Sequence, residues 1–273
     1  QGLKMRQWRL IYDTPLMGSH NMAIDDAIMG AVASGNSLPT LRLYAWRPLC
    51  LSFGYGQRVR DVDMPALKTQ GWGLVRRPTG GKAILHGDEL TYSVAIPKDH
   101  SLAAGDVVES YRRISEALMI ALTHLGLTPA SEKQAKGNSG LGPVCFEVPS
   151  HYEITSNGKK LIGSAQVRRR DGILQHGTLP LHGDLTRICD VLVYEDEHAR
   201  QQAKTILLER ATTLESVLGE MLAWQVAADA IVRGFEEAFN IDFTEGKLSE
   251  SERVSVERLL SERYANAEWT HKR

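Results

Sequence analysis

Cysteine is scarce in this chain. Only Cys50, Cys145 and Cys189 occur among 273 residues, an odd set with no C-x-x-C spacing, which argues against a disulfide framework and a structural zinc site. A reducing, cytoplasmic setting fits that usage. No apolar run approaches the roughly 18 to 20 residues that a membrane helix needs, and no signal-peptide pattern opens the sequence, so no membrane association is expected. Residues 1–4, ahead of Met5, are set aside from the fold reading. Charge of one sign is also lacking. With 32 Lys and Arg against 33 Asp and Glu, the formal charge is -1, so no global field favours nucleic acid and basic recognition must be local. Internal repeats and low-complexity tracts are absent.

What is present is enough apolar sequence, 42% of residues, to bury one large core or two modest ones. The pattern favours one domain over residues 8–240 with a helical C-terminal extension over 241–273. Trp8 to Tyr12 reads as a strand. Ile24, Ala27, Ile28, Ala31 and Val32 mark a helix whose polar residues Asn21, Asp25 and Asp26 could face an active-site cleft, although the surface is the expectation for each taken separately. Leu41 to Trp46 alternates like a half-buried strand, with Cys50 to Phe53 as its expected hairpin partner. Cys50 there behaves as a small hydrophobe. A long amphipathic helix runs from about Asp106 to Gly126, and Ser249-Glu250-Ser251-Glu252 has the form of a capping box for a last helix.

Two stretches carry the chemistry. Gly73 to Ser93, GLVRRPTGGKAILHGDELTYS, reads as strand, glycine loop, strand. Gly80 and Gly81 let backbone N–H groups approach a ligand that a Cβ would obstruct, and Arg76-Arg77 can anchor an anion; a plain glycine turn with solvated arginines accounts for the same residues. In the second stretch, Cys145 lies between Pro143 and Pro149 after a polar, glycine-rich segment, 131–143, that suggests a gate. Asn157-Gly158 between two alternating runs is a hairpin signal, and the hairpin can return Lys160 toward Cys145. A thiol with a pKa near 8.5 is only a few per cent thiolate at neutral pH unless a cation lowers it, and Lys160 is the candidate cation. His86 and His176 could shuttle a proton or be hydrogen-bonded structural residues.

In order and wording, three motifs resemble the lipoate/octanoate branch of the biotin and lipoate protein ligase family. They are RRPTGGKAILH from Arg76, Cys145-Phe146 with Pro149-Ser150-His151-Tyr152-Glu153, and Lys160-Leu161-Ile162-Gly163-Ser164-Ala165 followed by His176-Gly177-Thr178. The cysteine places the resemblance with the octanoyl-acyl carrier protein to protein octanoyltransferases. It implies an α/β (α+β) fold, a mixed β-sheet flanked by helices and akin to class II aminoacyl-tRNA synthetases. It implies Cys145 as nucleophile and Lys160 as its cation, with Arg77, Gly80, Gly81, His86, Gly163, Ser164 and His176 binding substrate and no metal or cofactor. The implied partners are octanoyl-acyl carrier protein as donor and, as acceptor, a lipoyl-domain protein such as glycine cleavage H protein or an E2 subunit. An ATP-dependent lipoate-protein ligase, using ATP and Mg, stays open, although Lys82 stands where ligases usually have a third glycine. An octanoyl amidotransferase between lipoyl domains would share the Cys and Lys, and a non-catalytic acyl-binding protein would need neither. Biotin ligation is disfavoured because no Gly-Arg-Gly-Arg loop is present.

Overall fold

The computed structural model describes residues 6–132 and 153–272. The elements follow in the order β1 (Gln7–Tyr12), α1 (Gly18–Ala33), β2 (Thr40–Tyr44), β3 (Cys50–Phe53), α2 (Met64–Thr69), β4 (Gly73–Arg76), β5 (Ile84–His86), β6 (Glu89–Pro97), α3 (Val107–His124) and β7 (Ala130–Glu132). Then come β8 (Glu153–Ser156), β9 (Lys159–Arg168), β10 (Gly172–Pro180), α4 (Glu197–Arg210), α5 (Leu214–Leu218), α6 (Trp224–Phe239), β11 (Asp242–Glu245), α7 (Glu250–Leu259) and α8 (Ala267–Thr270). The strands form an eight-stranded mixed sheet, β11-β1-β2-β6-β10-β9-β8-β7, and a three-stranded sheet, β4-β3-β5. This is the mixed sheet flanked by helices that the sequence implied.

The alternation of β6 shows how the large sheet is covered. Leu90, Tyr92, Val94 and Ile96 join the core built with α3 and α6, while Ala95 joins the core built with α1 and α7. Because helices lie on both faces, Thr91 and Ser93 are buried as well. The apolar stripe of α3, Ile114, Leu118, Ala121 and Leu122, faces that first core, and each fully buried leucine or isoleucine contributes roughly 1.5–3 kcal/mol. Asp106 and Glu109 close the α3 N-terminus with a reciprocal capping box, as Ser249 and Glu252 do for α7. Asn157 (φ 51°) and Gly158 (φ 75°) turn β8 into β9 in the left-handed conformation that the Asn-Gly pair favours.

Two expectations change. Cys50 to Phe53 does not pair with β2, because β1 and β6 already occupy both edges of β2; it becomes the central strand of the small sheet. Asn21, Asp25 and Asp26 are buried instead of surface residues. The helix α1 is covered by the sheet on one side and by α7 on another, so even its polar residues lie inside.

The small sheet positions the glycine loop. Since β4 and β5 flank β3, the connection over residues 77–83 must cross the end of β3, where Gly54 follows. A Cβ on Gly54 would come within 1.8 Å of the Gly81 carbonyl oxygen, so only glycine permits this approach. Residues 241–272 add the edge strand β11, parallel to β1, and place α7 against α1.

Candidate active site

A cavity of about 200 Å³ opens between the two sheets, with a mainly apolar wall that includes Met22, Tyr44, Trp46 and Ile84. Arg77, Gly80, Gly81 and His86 reach it from the small-sheet side, and Lys160, Gly163, Ser164 and His176 from β9 and β10. Residues far apart in sequence thus line a single cavity. Cys145 lies outside the described residues; of the suggested gate over 131–143, residues 131 and 132 end strand β7 and the rest lies outside the described residues. The two described thiols are buried, and burial pushes the Cys50 thiol up to about 12, leaving it protonated at neutral pH.

Lys160 is buried, and its ammonium lies 2.8 Å from Glu153 Oε1. The hairpin turn explains the meeting: β8 and β9 run antiparallel, with a register irregularity after Ile154, so the first residue of β8 lies within reach of the second residue of β9. Sequence alone does not single out Glu153, although it closes the Pro-Ser-x-Tyr-Glu motif.

The two arginines before the glycine loop hold backbone instead of facing solvent. Arg77 Nη2 donates to the carbonyls of Gly80 (2.9 Å) and Lys82 (3.0 Å), while Nη1 donates to Ser52 Oγ (2.8 Å) and the Ser52 carbonyl (3.0 Å). Arg76 spans further, donating to the carbonyls of Gly54, Tyr55, Gln57 and Thr270. It therefore ties the C-terminal α8 to the segment that backs the glycine loop.

Each cavity histidine has both ring nitrogens engaged. His86 Nδ1 lies 2.7 Å from Glu89 Oε1 and Nε2 lies 2.7 Å from Ser52 Oγ, with the Trp46 ring stacked on it at 3.9 Å. His176 Nδ1 lies 3.2 Å from Asp25 Oδ2, and Nε2 lies 2.7 Å from Thr79 Oγ1. Burial lowers the His176 pKa, against the raising effect of the Asp25 hydrogen bond. Asp25 also accepts from Arg42 (2.8 Å), Tyr44 (2.7 Å) and Ser93 (2.8 Å). Burial opposes its charge, but the His176 hydrogen bond and the Arg42 guanidinium outweigh that and hold the carboxyl below its ordinary value. Ser164 Oγ lies 2.7 Å from the Tyr92 hydroxyl. Glu89, Ser52 and Thr79 escaped sequence reasoning; Asp25 stands out there on a helix that is apolar nearly all round, with the surface favoured over the cleft.

Among the described residues, no group of three His, Cys, Asp or Glu side chains could hold a metal ion, and no helix is long and apolar enough to cross a membrane.

Residues 18–236 match the family described as the lipoyl protein ligase A/B catalytic domain. The chain belongs to that family. Its relatives include proteins named octanoyltransferase LipM. That of Kyrpidia tusciae is 38% identical over 98% of this chain and 100% of its own length, and that of Moorella thermoacetica is 41% identical over 97% and 98%. The family's ligases share the fold: the bipartite lipoate protein ligase of Thermoplasma acidophilum superposes with a TM-score of 0.82 at 27% identity, covering 97% of this chain and 96% of that one. A lipoate-protein ligase A bound with ATP gives 0.79 at 26% identity, covering 97% and 98%.

Proposed function

We propose that this protein is an acyltransferase of lipoate biosynthesis, moving an octanoyl group from octanoyl-acyl carrier protein to a lysine of a lipoyl-domain protein through a thioester on Cys145. The observation that carries this reading is a buried ammonium, Lys160, on the wall of an apolar cavity beside the glycine loop. Full-length identity of 35–41% to proteins named octanoyltransferases supports it.

In the first half-reaction the Cys145 thiolate attacks the thioester carbonyl. The carbon–sulfur bond to the carrier breaks, and the carrier's thiolate leaves and takes up a proton. In the second, the neutral amine of the acceptor lysine attacks the Cys145 thioester; an amide forms, the amine loses its proton, and the Cys145 thiolate departs. Lys160 stabilises that thiolate at both ends of the cycle, an attraction that strengthens as water is excluded. The apolar wall suits an aliphatic chain, each buried methylene contributing roughly 0.8 kcal/mol. Backbone N–H groups of the Gly80–Gly81 loop are candidate donors to the tetrahedral oxyanion.

The shared fold with ATP-bound ligases keeps the adenylate-forming reaction as the competing reading. Incubation with octanoyl-acyl carrier protein and a lipoyl domain, with no nucleotide, separates the two. Octanoylation of the lipoyl domain is expected. No transfer from the carrier, together with transfer from free acid that requires ATP, would overturn the proposal.

A further inference from the structure

The loop that walls the cavity is gripped from two sides by buried hydrogen-bond chains. On one side Arg77 joins the Gly80 and Lys82 carbonyls to Ser52 Oγ, then to His86 and Glu89. On the other, Thr79 joins its Oγ1 to His176 and then to Asp25, while its carbonyl accepts from the Tyr55 N–H at 2.8 Å. Asp25 as a carboxylate can only accept, so the proton of the His176 contact sits on Nδ1. In the neutral ring Nε2 then carries a lone pair, and the Thr79 hydroxyl donates to it.

We propose that Asp25 is a positioning residue for the reaction, acting through His176 and Thr79 to fix the Thr79–Gly80–Gly81 turn. The inference rests on the acyl-transfer reading, because a fixed turn matters where its backbone donors meet a developing oxyanion. The charged and titratable groups around His176 fit a neutral ring. Asp25 approaches from α1, the tyrosine hydroxyl of Tyr44 from β2 shares that carboxylate, and Arg77, His86 and Lys160 share the cavity. A proton on His176 would set another cation beside Arg77. Asp25 itself also binds Arg42, Tyr44 and Ser93, so its substitution would disturb more than the turn. The relay is therefore tested at its far end and by direct observation.

In wild-type protein labelled with ¹⁵N-histidine, ring ¹⁵N shifts at about pH 7.5 should show His176 neutral with Nδ1 protonated and Nε2 bare. An Nε2–H tautomer, or an imidazolium, would overturn the proposal whether or not the protein transfers acyl groups. In octanoyl transfer assays, Thr79→Val should lower kcat by roughly tenfold while KM for the donor stays within about twofold, and Thr79→Ser should restore kcat. Wild-type kcat in Thr79→Val, or no restoration by Thr79→Ser, would also overturn it. If the wild-type enzyme transfers nothing, the acyl-transfer reading fails, and the ¹⁵N shifts still decide the relay.

Discussion

Lys160 Nζ and Glu153 Oε1 meet at 2.8 Å with both side chains buried, so the cation assigned to the reaction is held by a carboxylate across its own hairpin. Breaking a buried pair by removing one member costs about 3–5 kcal/mol, whereas replacing both with apolar groups is often neutral. Glu153→Gln and Lys160→Met should each lower the urea midpoint strongly. The double variant Glu153→Leu/Lys160→Met should recover much of that stability and still transfer no octanoyl group. Activity in the double variant would show that the ammonium serves only the fold.

Gly54→Ala should displace the glycine loop, because the added Cβ would lie 1.8 Å from the Gly81 oxygen and backbone must move. A loop shift of about 1 Å at a reacting centre can cost on the order of a hundredfold in rate. The expected outcome is a folded protein with kcat reduced by roughly that factor, read by steady-state transfer.

Arg76→Lys should destabilise the protein by about 2 kcal/mol or more, since a lysine cannot reproduce a guanidinium that donates to four carbonyls. The loss should be accompanied by faster proteolysis near α8, whose Thr270 carbonyl is one of those acceptors.

Acid should weaken the fold in two stages. Burial keeps His176 below the ordinary histidine value of 6.5, so the unfolded chain binds that proton first, and stability falls as pH drops below 6.5 toward the folded value. Half-buried His100, whose pKa is also lowered by burial, acts in the same direction. Asp25, held below its ordinary 3.8, adds stability that is present above 3.8 and is lost as pH falls through its lower folded value. Urea midpoints between about pH 8 and pH 3 should trace both declines, and His176→Gln should diminish the first.

What could be read in the sequence was mostly what local chemistry dictates. The Asn157-Gly158 turn, the Asp106 and Ser249 caps and the α3 stripe follow from residues adjacent in the chain. The cavity residues were legible because short motifs place Arg77, Gly80 and Gly81 on one loop, His86 on the strand that follows it, and Lys160, Gly163 and Ser164 on another strand. The buried polar framework was not. Asp25 meets His176 only because α1 packs on the large sheet, and Trp46 Nε1 meets Thr91 Oγ1 at 2.8 Å because β2 and β6, far apart in the chain, pair as neighbours. For want of such long-range contacts Arg76-Arg77 read either as an anion anchor or as a solvated pair, although both side chains are committed to carbonyls of their own chain. The place of β3 in a second sheet likewise depends on which edges of β2 were already taken.

The central claim, a thioester carried on Cys145, is tested most directly by intact mass after incubation with octanoyl-acyl carrier protein and no acceptor. The wild-type protein should gain one octanoyl group, sensitive to neutral hydroxylamine, and Cys145→Ala should gain none. An unmodified wild-type protein that nevertheless octanoylates a lipoyl domain, or equal labelling of Cys145→Ala, would contradict the account.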